Sequence, residues 1–330
     1  MHMADALVSP VVAGTMWVAG ALVLAYSLHK AKKVLPEKQI PLMGVLGAFV
    51  FAAQMLNFTI PGTGSSGHIC GSLLLSALLG PVAGFITLSL VIFIQALFFA
   101  DGGLLAYGCN IINMGFYTCF IMYPLIFKPL VHKYGEKYLF PAAILTCVLG
   151  LQLGAFSVVL ETLASGITVL PFKTFLLLMQ PIHIAIGAVE GAVTAAVLHF
   201  VWQARPELSP DQDIKAGSSS LLVRGFALAA VACAGFFSLL ASENPDGLEW
   251  SIAKITGTTE LEASGFWQVL AAQIQTATSL MADYSTPGLA DSSWGTSVAG
   301  LTGGIITCIV CILIGKFVTR RKDHKAVHDL

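Results

Sequence analysis

The chain has 330 residues, 56% of them hydrophobic and 11% charged, with a mean hydropathy of +0.82. Soluble domains carry about 25% charged residues, so a soluble fold is excluded and an all-α integral membrane protein is predicted. The net charge of −1 says little by itself, and no nucleic-acid partner is expected.

A spanning helix needs about 20 mostly apolar residues. In chain order, apolar runs fall at 10–28, 40–58, 69–79, 82–99, 104–127, 139–163, 174–201, 221–240 and 297–317. Residues 1 to 17 hold no basic residue ahead of the first run, so the first segment is expected to stay attached rather than be cleaved. The third run is short, about half the hydrocarbon thickness at 1.5 Å per residue, and reads as a half-helix running into Gly80-Pro81.

Lys and Arg are retained on the cytoplasmic side. With the N-terminus outside, fifteen of the seventeen basic residues fall inside, and Lys173 and Lys254 fall outside. The prediction is therefore nine transmembrane segments, N-terminus outside and C-terminus cytoplasmic. Residues 1–204 form a seven-segment bundle, and 205–220 form a polar cytoplasmic linker. Residues 221–330 form a two-helix part around a long external loop at 241–296. That loop has seven acidic residues (Glu243, Asp246, Glu249, Glu260, Glu262, Asp283 and Asp291) against one lysine. It is either a surface that concentrates cations or a plain solvated loop.

The seven cysteines lie in or beside apolar runs, so no disulfide framework is suggested, and Cys308-x-x-Cys311 reads as small packing residues. The glycines at 62 and 67 have phosphate-loop spacing, but His68-Ile69 replaces the required Lys-Ser/Thr, so ATP is not expected there.

The chain opens Met1-His2. The terminal amine, the His2 backbone nitrogen and the His2 Nδ1 can chelate one ion in adjacent rings. Nitrogen-rich tetragonal ligation suits Ni(II) or Cu(II), and cobalt is also compatible. His68, after the flexible stretch 61–67, is the candidate fourth nitrogen on the same outer side. The alternatives are a disordered terminal histidine and a helix-start hydrogen bond at His68. Gln95, Asp101, Asn110 and Asn113 either orient His68 or cap helices. His183 and Glu190, seven residues apart, share a helix face and either fix packing by mutual or cross-helix hydrogen bonds or act at the metal, by direct contact or by supporting its ligands. Small residues at Gly44, Ala48 and Ala52, and at Gly187 and Gly191, permit close helix approach, within the chain or to a partner.

An ordered series of short stretches carries a family resemblance: Met1–Ser9, Asn57-Phe58, Pro61–Gly71, Gly80-Pro81, Gln95-Ala96-Leu97, Asp101-Gly102-Gly103, Asn110–Gly115, Pro181-Ile182-His183 and Gly187–Gly191. It resembles the nickel/cobalt-specific substrate-binding subunits of energy-coupling-factor ABC transporters over about the first 200 residues. The stretch Ala241–Trp250, with Asp283-Tyr284, is similar to the small two-helix accessory subunit of the same systems, here fused. The resemblance implies metal ligation by Met1, His2 and His68. It also implies a transmembrane coupling subunit, two cytoplasmic ATPase subunits, and residence in the cell (inner) membrane. The expected function is capture of Ni(II) or Co(II) for ATP-driven import, with the ion as cargo, no cofactor, and no enzymatic activity in this chain. An autonomous secondary carrier would need coupling-ion carboxylates at the midplane, for which Glu190 is the strong candidate. An intramembrane metal-dependent enzyme would need an open metal position and a general base, which a closed four-nitrogen site lacks.

Overall fold

In the computed structural model, residues 1–205, 220–262, 264–289 and 293–320 are described. Most of the predicted linker lies outside them, as do Lys215, Asp291, Arg321, Lys322 and Lys325. A buried N-terminal tail, with a 3-10 turn at Asp5–Leu7, leads into α1 (Pro10–Val34). Ser9 caps that helix by accepting from the Val12 amide at 3.4 Å, and Pro10 takes the first helical position, where its missing N–H costs nothing. Then follow α2 (Ile40–Gln54), a hairpin of β1 (Phe58–Ile60) and β2 (Ser65–Gly67), and α3 (Ser72–Leu79). After these come α4 (Pro81–Phe99), α5 (Tyr107–Tyr134), α6 (Leu139–Ser165) and α7 (Phe172–Ala204). The C-terminal part contains α8 (Ser220–Gly235), α9 (Gly247–Thr256), α10 (Phe266–Thr278) and α11 (Ser293–Arg320).

Six of these helices (α1, α4, α5, α6, α7 and α11) are long and apolar enough to cross a bilayer. Exposed apolar side chains such as Val18 and Leu22 on α1 and Phe200 on α7 suit a lipid-facing surface. The predicted all-α multi-pass architecture therefore holds. The other three predicted segments are shorter: 15 residues in α2, 8 in α3 and 16 in α8. At 1.5 Å per residue, none of the three reaches the ~30 Å core thickness as a straight helix.

The half-helix prediction also holds, since α3 ends at Gly80. That residue has φ of +81°, a conformation open to glycine, and Pro81 restarts the chain as α4. The second run departs from prediction, because its helix stops at Gln54 rather than continuing to 58. Phe58 instead pairs with Gly67, Thr59 with Ser66 and Ile60 with Ser65 in antiparallel register, which draws the 61–64 turn over the bundle.

Both small-residue stripes are used for packing inside the chain. A side chain on Gly187 or Gly191 would strike the backbone of Val148 or Ile144 on α6, and one on Gly44 would strike Ile312 and the Cys308 carbonyl on α11. Cys311 is a free, buried thiol against Gly47, as its packing role predicts.

The stretch predicted as an external loop is built rather than loose, for it holds α9 and α10. It is bound to the first part by backbone acceptors that end helices and turns would otherwise leave unpaired. The Ser242 amide donates to the Asn57 carbonyl at 2.7 Å, and Gln275 Nε2 donates to the Ala96 and Gly102 carbonyls at 2.8 and 2.7 Å. Gln268 Nε2 donates to the Val8 carbonyl at 2.9 Å. The C-terminal part thus covers the tail and the end of α4.

Candidate metal site

The tail is held at its third residue. Asn110 accepts from the Met3 amide at 2.7 Å and donates to the Met3 carbonyl at 3.1 Å, and the Gly103 amide donates to the same carbonyl at 2.9 Å. Two residues on, the buried Asp5 carboxylate accepts from the Ala106 amide at 2.9 Å. These clamps aim Met1 and His2 into the bundle.

There the Met1 amine lies 2.9 Å from His68 Nε2, and the His2 and His68 rings stack at 5.1 Å between centroids with 16° between planes. The His68 Nδ1 faces the Ile69 carbonyl at 3.1 Å; as a donor there it leaves the Nε2 lone pair facing the Met1 amine. The His2 Nδ1 lies 3.1 Å from Asp101, while its Nε2 is buried with no hydrogen-bond partner among the described residues. Burial and the neighbouring ammonium push both imidazoles down to about 3, so both are neutral at neutral pH. Burial raises the Asp101 carboxyl against the hydrogen bond donated by Tyr284 at 2.6 Å.

Two further groups come from places the sequence did not mark as ligand sites. Asp246 Oδ2 lies 2.6 Å from the Met1 amine and 3.9 Å from His68 Nε2. Burial alone would raise the Asp246 carboxyl, but the adjoining ammonium outweighs it and holds it well below the usual carboxylate range. Tyr284 reaches Asp101, as above. Tyr284 was visible only as a member of a resembling stretch, and Asp246 only as such and as one of the seven acids of the 241–296 loop. The pattern Asp246-x-x-Glu249 is a capping-box signal, but nothing local to it announces a partner 245 residues away.

The predicted orienting residues divide into groups. Asp101 touches His2, and Gln95 lies buried beside it. Asn110 acts on Met3 rather than on His68. Asn113 donates to Glu161 at 2.8 Å and borders a cavity of about 20 Å³ with Met1, His68, His183 and Asp246, enough for one water-sized occupant. His183 Nδ1 is 2.7 Å from the Met179 carbonyl, and its Nε2 is buried without a partner among the described residues. Glu190 accepts from the Gly71 amide at 2.9 Å, so it braces the loop behind His68. Glu190→Gln keeps an acceptor for that amide and is expected to leave the melting temperature close to that of the unaltered chain. Glu190→Leu strands a buried N–H and is expected to cost about 1–3 kcal/mol in thermal unfolding. Equal melting temperatures for the two variants would overturn this assignment.

A second cavity, of about 510 Å³, opens beside His2 and is lined by Asp101, Asp246, Glu260 and Asp283 among others. Three of these four carboxylates come from the C-terminal part.

A helical multi-pass membrane protein that gathers its terminal amine and two neutral histidines beside an acidic cavity belongs to the class of metal-ion transport components. The chain belongs to the family described as cobalt uptake substrate-specific transmembrane region (CbiM), which matches residues 2–208, and a PDGLE domain matches residues 220–320. That motif is Pro245-Asp246-Gly247-Leu248-Glu249 in this sequence. The chain is 32% identical over 306 residues, 93% of this chain and 95% of the relative, to a protein of Archaeoglobus fulgidus provisionally named a fused nickel transport protein NikMN. It is 37% identical over 114 residues to the fused nickel transport protein NikMN of Rhodobacter capsulatus, covering 34% of this chain and 33% of that one. A crystal structure described as a truncated transition metal transporter matches with a TM-score of 0.55 at 29% identity, covering 62% of this chain and 99% of that one. The chain is a nickel/cobalt transport component of the fused type, not an enzyme.

Proposed function

We propose that this chain is the substrate-capture subunit of an energy-coupling-factor importer and that it binds Ni(II) or Co(II) at the outer face. The ligands are the Met1 amine, the His2 backbone nitrogen and Nδ1, and His68 Nε2. The observation that carries the reading is the 2.9 Å approach of the Met1 amine to His68 Nε2, with the two imidazoles stacked beside it. Closing the chelate takes His2 Nδ1 from Asp101 to the ion, and Asp101 remains tied to Tyr284. Four nitrogens close a tetragonal plane, which suits these metals. The acidic cavity beside His2 supports entry from that side, because clustered carboxylates raise the local cation concentration.

In this reading residues 1–204 form the metal-binding part and 221–330 the accessory part, with the N-terminus outside and the C-terminus cytoplasmic. A transmembrane coupling subunit and two cytoplasmic ATPases, supplied as separate chains, reorient the loaded subunit. Autonomous secondary transport is less well supported, because its coupling-ion candidate Glu190 is bonded to the Gly71 amide.

Metal analysis of the purified full chain tests the ligand set. The unaltered protein is expected to retain close to one equivalent of nickel or cobalt, and His2→Ala and His68→Ala to retain almost none. Full occupancy in either variant sinks the proposed chelate.

A further inference from the structure

Asp246 divides its two oxygens between two tasks. Oδ1 caps α9, accepting from the Leu248 and Glu249 amides at 2.8 and 2.9 Å, while the Glu249 carboxylate accepts from the Asp246 amide at 3.0 Å. This reciprocal capping box fixes the carboxylate's plane, and it leaves Oδ2 free to meet the Met1 amine at 2.6 Å and to lie 3.9 Å from His68 Nε2.

The segment that carries Asp246 is itself fastened to the loop that carries His68. The Ser66 amide donates to the Pro245 carbonyl at 2.8 Å, and the Ser66 hydroxyl donates to the Asn244 carbonyl at 2.7 Å. Trp250 Nε1 donates to the Thr63 carbonyl at 3.0 Å. Gly247 lies against α7, where even a Cβ would come within 3.1 Å of His183 and Ile182. The carboxylate is therefore positioned by its capping box and by these contacts of its segment, in addition to the amine it faces.

We infer that Asp246 is a positioning residue of the metal site. It orients the terminal amine toward His68 and supplies negative charge beside the divalent cation, so the C-terminal part of the chain completes a site whose ligands all lie in the N-terminal part. This rests on the chelate reading above. A doubly charged ion bound by nitrogens in a mostly buried pocket needs nearby countercharge, and a carboxylate 2.6 Å from one ligand atom provides it. Groups just outside a metal's ligands hold those ligands in register, and their loss typically weakens binding about 10–100-fold.

The test separates charge from cap. Asn caps helices about as well as Asp, so Asp246→Asn keeps the Oδ1 acceptor and removes only the charge, whereas Asp246→Ala removes both. Nickel titration of the purified full chain is expected to give about 10–100-fold weaker binding for both variants. The melting temperature should fall further for Asp246→Ala, which loses the cap as well as the ion pair, than for Asp246→Asn, which loses the ion pair alone. The visible ligand-field spectrum of nickel-saturated Asp246→Asn should match that of the unaltered protein, because the nitrogen ligands are intact. Glu249→Gln, which alters the other half of the capping box, should bind nickel normally. The inference is overturned if Asp246→Asn binds nickel as tightly as the unaltered chain, or if Glu249→Gln weakens binding as much as Asp246→Asn. Retention of nickel by His68→Ala would instead overturn the chelate itself, whatever Asp246 does.

Discussion

One extra residue ahead of Met1 is expected to abolish stoichiometric nickel or cobalt binding while leaving every side chain in place. The reason is length. A residue of extended chain spans about 3.3–3.6 Å, more than the whole 2.9 Å that separates the amine from His68 Nε2. The tail cannot slide outward to compensate, because Asn110 and Gly103 fix it at Met3 and the Ala106 amide fixes it at Asp5. Nor can the addition fit forward, since the cavity beside the amine has room for about one water. Extension also turns the amine into an amide, a far poorer donor to a metal, and removes the positive partner of Asp246. Metal analysis should give close to one equivalent for the unextended chain and almost none for the extended one. If the extended chain stays fully loaded, the terminal amine is not a ligand. Because His2 and His68 are unchanged, this result bears on the place and charge of the terminal amine rather than on a deleted side chain.

The second large effect is expected at Gly103, which no ligand touches. Its amide donates to the Met3 carbonyl at 2.9 Å, and a Cβ on it would run into the Asp5 backbone and carboxylate. Backbone cannot yield as a flexible side-chain end can, so Gly103→Ala should expel the tail from its groove. The expected outcome is nickel binding weakened at least about 10-fold, as for lost outer contacts at metal sites, and destabilisation of about 1–3 kcal/mol from overpacking. Gly14→Ala is the matched control, because nothing lies within 4 Å of the added methyl. Nickel titration and thermal unfolding of both variants check the claim. Equal behaviour of the two would show that the tail tolerates displacement.

The two candidate histidines were legible because the protein is otherwise poor in polar groups, and His2 and His68 were predicted on one side. The brace on the tail was less legible. Asn110 looked like a helix cap or a partner of His68, yet it holds the Met3 backbone through both ends of its amide. Asp5 gave no signal at all, since an acidic residue near a terminus normally stays in water and here is buried against a backbone amide. The 241–296 segment left two readings open, a cation-concentrating surface and a plain solvated loop. Its high acidic content suits a solvated loop, but the capping box at Asp246 and Glu249 turns part of that acidity into helix structure.

The sequence by itself determined the membrane class, the half-helix at Gly80-Pro81 and the two candidate histidines. Apolar run length, glycine-proline breaks and rare polar residues are local signals, and local chemistry fixes their meaning. Only the tertiary structure decided which groups meet at the terminal amine. His68 lies 67 residues away and Asp246 lies 245. Contacts at such separation depend on how helices pack and on which backbone groups remain to be paired, neither of which a one-dimensional pattern records. The sequence marked Asp246 only as one acid of the 241–296 loop and as part of a resembling stretch, and packing put its carboxylate against the Met1 amine.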